Sequence, residues 1–201
     1  MKRIFDILFS LVGLLILLIP FVLISLIIII DSKGGIFFRQ TRVGKNGIDF
    51  SLLKFRTMKI NADRAGLLTV GERDHRITAI GYYLRKYKVD ELPQLINVLM
   101  GDMSLVGPRP EVRKYVNLYN AEQLNVLSVK PGITDYASIE YANENEILVK
   151  VPNPEEVYIK EIMPRKLNLN LKYINESGTI TDLKIMLKTI LKIIFFNSLK
   201  F

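Results

Sequence analysis

The chain of 201 residues contains no cysteine and a single histidine, His75. Without cysteine there is no disulfide framework, no thiolate nucleophile and no Cys-ligated metal site. One histidine cannot supply a His-based zinc site, and it makes a Ser-His relay a poor expectation. Acid–base chemistry is therefore left to carboxylates, lysine and tyrosine. Charge is missing from one long stretch: Ile7 to Ile30 is a run of 24 residues with none. A helix of that length extends roughly 36 Å, enough for a bilayer core of about 30 Å. The run is too long for a secretory signal peptide, and no small-x-small cleavage site follows it. It also lacks the polar stripe of a buried core helix. Pro20 removes one backbone hydrogen bond and crowds the preceding turn, so a kink is expected there. Lys2 and Arg3 precede the run, and Lys33, Arg39, Arg42 and Lys45 follow it. Both flanks thus carry the basic residues typical of a cytoplasmic side. Two readings fit: a kinked spanning helix, or a re-entrant hairpin with both ends cytoplasmic.

The formal charge of +8 favours anionic partners, whether nucleic acid, anionic lipid or phosphorylated small molecules. RNP-like aromatic motifs, a helix-turn-helix pattern and zinc ligands are all missing, which argues against nucleic acid. Ile36–Val43 and Ile48–Phe55 are strand-like and flank Gly44-Lys45-Asn46-Gly47, a strong hairpin signal. Alternation through Lys54-Phe55-Arg56 puts the two cations on one strand face, either solvated or aimed at an anion. Residues 61–75 read as a polar loop or frayed helix, with His75 at the surface. Ile77–Tyr87 reads as a short amphipathic helix carrying Arg85 and Lys86.

Val89–Pro110 reads VDELPQLINVLMGDMSLVGPRP. Asp90 has the character of a helix N-cap, Pro93 falls in the first turn, Gln94–Met100 supplies the helix and Gly101 its stop. In structural terms Asp90 caps and Glu91 complements the macrodipole. In functional terms two adjacent acids divide labour as nucleophile or metal ligand and as acid–base partner. Carboxylates beside phosphates imply a hard cation, Mg2+ above all. Gly107-Pro108-Arg109-Pro110 is a stiff turn in which Arg109 is either solvated or preorganised to bind a diphosphate.

KFRTM at 54–58, DELPQLINVLMGDMSLVGPRP at 90–110 and KPGIT at 130–134 resemble the signature blocks of the bacterial sugar transferase family, the monotopic phosphoglycosyl transferases. The likeness runs from Lys2-Arg3-Ile4-Phe5-Asp6-Ile7 to the C-terminal helix, and the short chain is similar to the family's minimal members. The resemblance implies a two-step exchange. Asp90 attacks the sugar-bearing phosphorus of a UDP-sugar, UMP leaves, and undecaprenyl phosphate then takes the phosphosugar. It gives Glu91 an assisting role in proton transfer or positioning. Lys54, Arg85, Pro108 and Arg109 become donor-binding residues, and Asp90 also contacts Mg2+. It implies membrane lipids and downstream glycosyltransferases as partners, and a place on the cytoplasmic face of the bacterial inner membrane. Residues 1–33 are then a re-entrant membrane helix and 34–201 the catalytic domain, with Met1 and Phe201 on the same, cytoplasmic side. Two positions depart from the family pattern. Ile19-Pro20 replaces a frequent Ser-Pro, and Thr134-Asp135-Tyr136 lacks the common glycine after KPGIT in a region that bears on sugar choice.

Toward the C-terminus, Asn143–Pro154 reads as a loop and Tyr158–Tyr173 as a helix interrupted near Pro164. Thr179–Phe196 reads as a helix opened by a Thr179/Asp182 capping box. Its Lys184, Lys188 and Lys192 stripe suits either a helix lying in the lipid headgroups or a core helix with a solvated edge. The expected architecture is mixed α/β and helix-rich. A compact domain with a β-hairpin carries interfacial amphipathic helices and a re-entrant N-terminal helix. The rival is a non-catalytic tethered module that binds anionic lipid.

Overall fold

The computed structural model describes residues 2–60, 62 and 74–198. The expected mixed, helix-rich architecture is present, with two small sheets. The apolar run forms α1 (Lys2–Ile16) and α2 (Leu18–Asp31), bent by 61°. The break falls at Leu17 and not at Pro20, where the sequence reading places it. Pro20 sits in the first turn of α2, where a missing N–H is tolerated, while its ring conflicts with a helical carbonyl four residues back, at Ile16. The bend therefore precedes the proline by about one turn. Among the described residues no single helix is long and apolar enough to cross a membrane; only the bent pair together meets that test.

α1 does carry a stripe that the sequence reading overlooks. Asp6 and Ser10 are buried, and a methyl added at Gly13 would sit 3.3 Å from Leu95. These short residues at i, i+4 and i+7 share one helix face and allow close approach. Asp6 Oδ1 accepts from Ser104 Oγ and from the Leu105 amide, each at 3.0 Å. Its other faces leave Leu8 and Leu15 exposed, as α2 leaves Leu18, Val22, Leu26 and Ile30.

Both ends of the helix pair are fastened to the same body. Lys2 Nζ donates to Asp182 Oδ2 at 2.5 Å, to Val106 O at 3.0 Å and to Tyr173 Oη at 3.1 Å. Arg3 donates to the carbonyls of Val98 and Leu99. At the other end Arg56 donates to the carbonyls of Ile28, Ser32 and Lys33, a cation placed on the orphan acceptors of a helix C-terminus. Arg56 is therefore neither solvated nor paired with Lys54 around an anion. Met1 and Phe201 lie outside the described residues, as does most of the polar segment 61–75.

β1 (Phe37–Val43) and β2 (Asp49–Phe55) form the expected antiparallel hairpin, with Phe37 opposite Phe55 and Val43 opposite Asp49. Asn46 and Gly47 take the positive φ of 57° and 74° that the turn needs. α3 (Ala79–Lys86) is capped by Thr78 Oγ1, which accepts from the Gly81 amide at 3.0 Å. α4 (Gln94–Met100) ends at Gly101, as expected. Its Asn97 is fully buried and ties it to β2, accepting from the Leu53 amide at 2.9 Å and donating to Ser51 O at 2.8 Å.

β3 (Ser104–Val106), α5 (Arg113–Val116) and β4 (Gly132–Thr134) follow. β3 and β4 pair in parallel, Ser104 beside Gly132 and Val106 beside Thr134. The sequence reading anticipates neither strand. Their pairing brings the GPRP and KPGIT segments into backbone contact: a Cβ on Gly132 would lie 2.1 Å from the Gly107 nitrogen. Only glycine permits that crossing.

α6 (Tyr136–Glu140), α7 (Glu144–Val149), α8 (Pro154–Val157), α9 (Met163–Asn175) and α10 (Thr179–Ser198) complete the chain. α7 lies where a loop is expected; acids in its first turn suit the helix dipole, and Leu148 anchors it in the core. A π turn, Tyr158–Ile162, joins α8 to α9 just before Pro164. Its wider spacing absorbs the proline without ending the helical run. The expected Thr179/Asp182 capping box does not form. Asp182 is buried and accepts from Lys2 and, at 2.8 Å, from Tyr173 Oη. α10 buries Ile185 in the core, while Lys184, Lys188 and Lys192 and the apolar Ile180, Leu183, Leu187 and Leu191 stay exposed. The core-packing stripe and the basic, apolar outer surface therefore coexist on one helix.

Candidate functional site

The proposed reactive acids sit on a tight turn between α3 and α4. Lys88 adopts a left-handed conformation (φ 57°), and the following 3-10 turn, Val89–Glu91, presents two carboxylates. Asp90 does not cap α4, contrary to the structural reading of the sequence. Pro93 directly precedes the helix, and no side chain accepts from the helix's first amides.

The two acids have different surroundings. Glu91 accepts from Lys54 Nζ at 2.9 Å and from Arg109 Nη1 at 3.0 Å, and Arg109 Nη2 completes a fork on the same carboxylate. Burial works to raise the Glu91 pKa, but the charges of Arg109 and Lys54 and the Arg109 hydrogen bonds hold it well below the usual carboxylate range. Asp90 is 7% exposed and makes no hydrogen bond to any described residue. Burial, and then the charge of Glu91, push its pKa up; Lys54, Arg85 and Lys88 oppose that rise. Burial lowers the Lys54 pKa against the pull of Glu91, whereas Glu91 raises that of Arg109. One carboxylate is thus engaged by cations, and its neighbour, its pKa raised, has no hydrogen-bond partner among the described residues.

Each flanking residue arrives by a separate route. Lys54 comes from β2, held against α4 by Asn97. Arg85 lies in the last turn of α3, close enough to Asp90 to act on its charge. Pro108 is buried, and its carbonyl accepts from the Gly132 amide at 3.0 Å, which fixes the turn. Arg109 follows, its backbone amide donating to Asp135 Oδ2 at 3.1 Å. Asp135 is fully buried and also caps α6 through the Ser138 amide. The unusual Thr134-Asp135-Tyr136 segment is therefore a mount for Arg109. The structure brings Asp90, Glu91, Lys54, Arg85 and Arg109 together, with Pro108 as a support.

Sequence reasoning missed an adjoining group. Arg42 donates to Glu111 Oε1 at 3.1 Å and to Pro110 O at 3.0 Å, and Tyr158 Oη donates to the other Glu111 oxygen. Arg42 read only as part of a basic flank, although Glu111 directly follows GPRP. A cleft of about 200 Å3 is lined by Arg85 and Arg109 together with Tyr119, Asn145 and Asn170.

Among the described residues no group of three or more His, Cys, Asp or Glu could hold a metal. Mg2+ in phosphate chemistry needs few protein oxygens, since water and phosphate supply the rest. The unengaged Asp90 carboxylate fits that demand. His75 has a side chain 91% exposed beside Asp74, in keeping with a surface residue.

Comparison with known proteins adds a lineage. The sequence model of the family described as bacterial sugar transferase matches residues 1–196. The chain is 39% identical over 94% of its length to the galactosyl transferase CpsE of Streptococcus agalactiae. It is 36% identical over 96% to EpsL of Bacillus subtilis, an uncharacterized sugar transferase. It is 35% identical over 96% to the UDP-glucose:undecaprenyl-phosphate glucose-1-phosphate transferase of Escherichia coli. The chain spans 41% and 40% of the length of the streptococcal and E. coli relatives, and 87% of EpsL.

Proposed function

The chain belongs to the bacterial sugar transferase family, and from that premise we propose that it transfers a sugar 1-phosphate from a UDP-sugar to undecaprenyl phosphate. The observation that carries this reading is the division between the acids: Glu91 is engaged by Arg109 and Lys54, while Asp90 is buried, its pKa is raised, and it makes no hydrogen bond among the described residues. A carboxylate of that kind is a competent nucleophile, and the cations around it suit a diphosphate.

In the first step an Asp90 oxygen attacks the sugar-bearing phosphorus. The bond from that phosphorus to the oxygen bridging it to the α-phosphate breaks, and UMP leaves with the electron pair. An aspartyl phosphosugar remains. In the second step a phosphate oxygen of undecaprenyl phosphate attacks the same phosphorus, and the Asp90 carboxylate departs. The product is undecaprenyl-diphosphate sugar, a starting intermediate for glycoconjugate assembly. Arg109 and Arg85 neutralise the developing charge on the phosphoryl oxygens. Lys54 and Glu91 hold Arg109 in place, and Pro108 stiffens its backbone. Glu91 acts here as a positioning residue, because both of its oxygens are already engaged. Asp90 would hold Mg2+, which when bound would supply further charge neutralisation at the phosphates.

The same reading gives the chain a re-entrant anchor over residues 1–33 and a catalytic domain over 34–201, on the cytoplasmic face of the inner membrane. Support comes from the 61° bend and from the fastening of both helix ends to one body, Lys2 on Asp182 and Ser32 on Arg56. A spanning helix would have to separate those ends by the bilayer thickness of about 30 Å. Nucleotide sugars and polyprenyl phosphate meet at such a face, and α10 presents lysines and apolar residues suited to lipid headgroups. The test is UMP release from a panel of UDP-sugars in vesicles with and without undecaprenyl phosphate. Sustained release only with the acceptor supports transfer. Lipid binding with no release from any donor returns the chain to the role of a tethered lipid-binding module.

A further inference from the structure

We infer that the cleft shared by Arg85 and Arg109 receives the sugar ring of the donor, and that Asn170 and Tyr119 select which ring substituents it accepts. The inference rests on the transferase reading and names a subsite within it. A volume of about 200 Å3 is below the roughly 300–1,000 Å3 of clefts that enclose a whole drug-sized ligand, so it suits one ring of the donor. The lining suits hydroxyls and amides. Asn170 is 5% exposed, and its Oδ1 has no hydrogen-bond partner among the described residues. A buried amide left this way is costly unless a ligand supplies the missing partner. Glu144 is held by Lys166 through Oε2 at 2.7 Å, which leaves Oε1 as an acceptor. Asn145 lines the same space, and the Tyr119 hydroxyl, which makes no hydrogen bond to a described residue, offers one more donor.

Geometry favours the sugar over the uracil. The sugar is bonded directly to the phosphorus that Asp90 attacks, whereas uracil is separated from it by the α-phosphate and ribose. A cleft lined by Arg109 and by Arg85, whose charge acts on Asp90, adjoins the reacting acid and is placed for the group carried on the attacked phosphate. Tyr119 follows α5, Glu144 and Asn145 open α7 and Asn170 lies on α9, all outside the sequence motifs that carry the phosphate chemistry.

The experiment compares UDP-glucose, UDP-galactose and their two N-acetylhexosamine counterparts as donors for the wild type, Asn170→Ser and Tyr119→Phe. Rates give kcat/KM for each donor, and calorimetry gives the affinity for UDP. The expected result is a change of about five- to ten-fold in the ratio between donors, the size of one lost hydrogen bond, with UDP affinity unchanged. Tyr119→Phe keeps the half-buried ring and removes only the hydroxyl, so it carries the test if Asn170→Ser fails to fold. Unchanged donor ratios in the folded variants overturn the inference. So does an equal loss for UDP and all four donors, which would assign the cleft to the nucleotide. A wild type inactive with every donor overturns the transferase reading first, and this subsite with it.

Discussion

Neutralising the two acids one at a time is expected to move stability in opposite directions. Glu91→Gln keeps the size of the side chain but strips the counter-charge from Lys54 and Arg109. Breaking a buried pair from one side costs about 3–5 kcal/mol, and the 33% exposure of the Arg109 side chain argues for the lower figure, about 3 kcal/mol. For a chain of this size that is a fall in Tm of roughly 6–12 °C. Asp90→Asn removes a buried charge that has no hydrogen-bond partner among the described residues, and a rise of about 1 kcal/mol, or roughly 2–4 °C, is expected. The pH dependence separates them further. The Asp90 pKa is raised in the native state, so its penalty is present at neutral pH and fades as pH falls through that raised value. The benefit of Asp90→Asn should therefore shrink on mild acidification. The Glu91 pKa is depressed, so its contribution is present above the unfolded value and is lost only as pH falls through the lower native value. The deficit of Glu91→Gln should persist where the Asp90 effect has faded. Thermal unfolding in detergent at several pH values measures both. Destabilisation of Asp90→Asn matching that of Glu91→Gln would mean that Asp90 belongs to the ion network, and the proposed division of labour would fail.

Formation of the phosphosugar needs Asp90 ionised, so UMP release in the first turnover should fall with acidification at a pH above that of an ordinary aspartate. Lys88→Gln removes a charge that favours ionised Asp90 and should move that limb to higher pH; an unmoved limb argues against Asp90 as the titrating group. Excess EDTA should abolish UMP release and Mg2+ should restore it, whereas full activity in chelator contradicts a metal-assisted reaction. A Lys2→Cys variant carries the only thiol in the chain and should resist an impermeant maleimide in intact cells but react after lysis. Labelling from outside would mean a spanning helix.

What was legible in the sequence is mostly local. Asn46-Gly47 announces its hairpin because few other dipeptides take two consecutive positive φ values. Gly101 announces the end of α4 for a similar reason. Asp90, Glu91, Lys54 and Arg109 were found through their motifs, and the structure brings them together. What was not legible depends on partners distant in the chain. Arg56 alternates with Lys54 along one strand, yet it turns to the carbonyls at the end of α2, 23 or more residues away. Asp182 has the spacing of a capping acid but is claimed by Lys2 across 180 residues. The β3–β4 pair is too short to show a period, and it exists because Gly107 and Gly132 let two backbones touch. The kink moved from Pro20 to Leu17 because a proline disturbs the turn before it more than its own position. Asn170 and Tyr119 belong to no motif, and only the folded cleft singles them out.

The central claim is a covalent aspartyl phosphosugar on Asp90, and intact-protein mass spectrometry tests it most directly. The wild type, incubated with a UDP-sugar panel and Mg2+ without undecaprenyl phosphate, should gain the mass of one phosphosugar from its cognate donor. Peptide mapping should place that mass on Asp90, acceptor should discharge it, and folded Asp90→Asn should never acquire it. An adduct on another residue, or near wild-type UMP release from Asp90→Asn, would contradict the account.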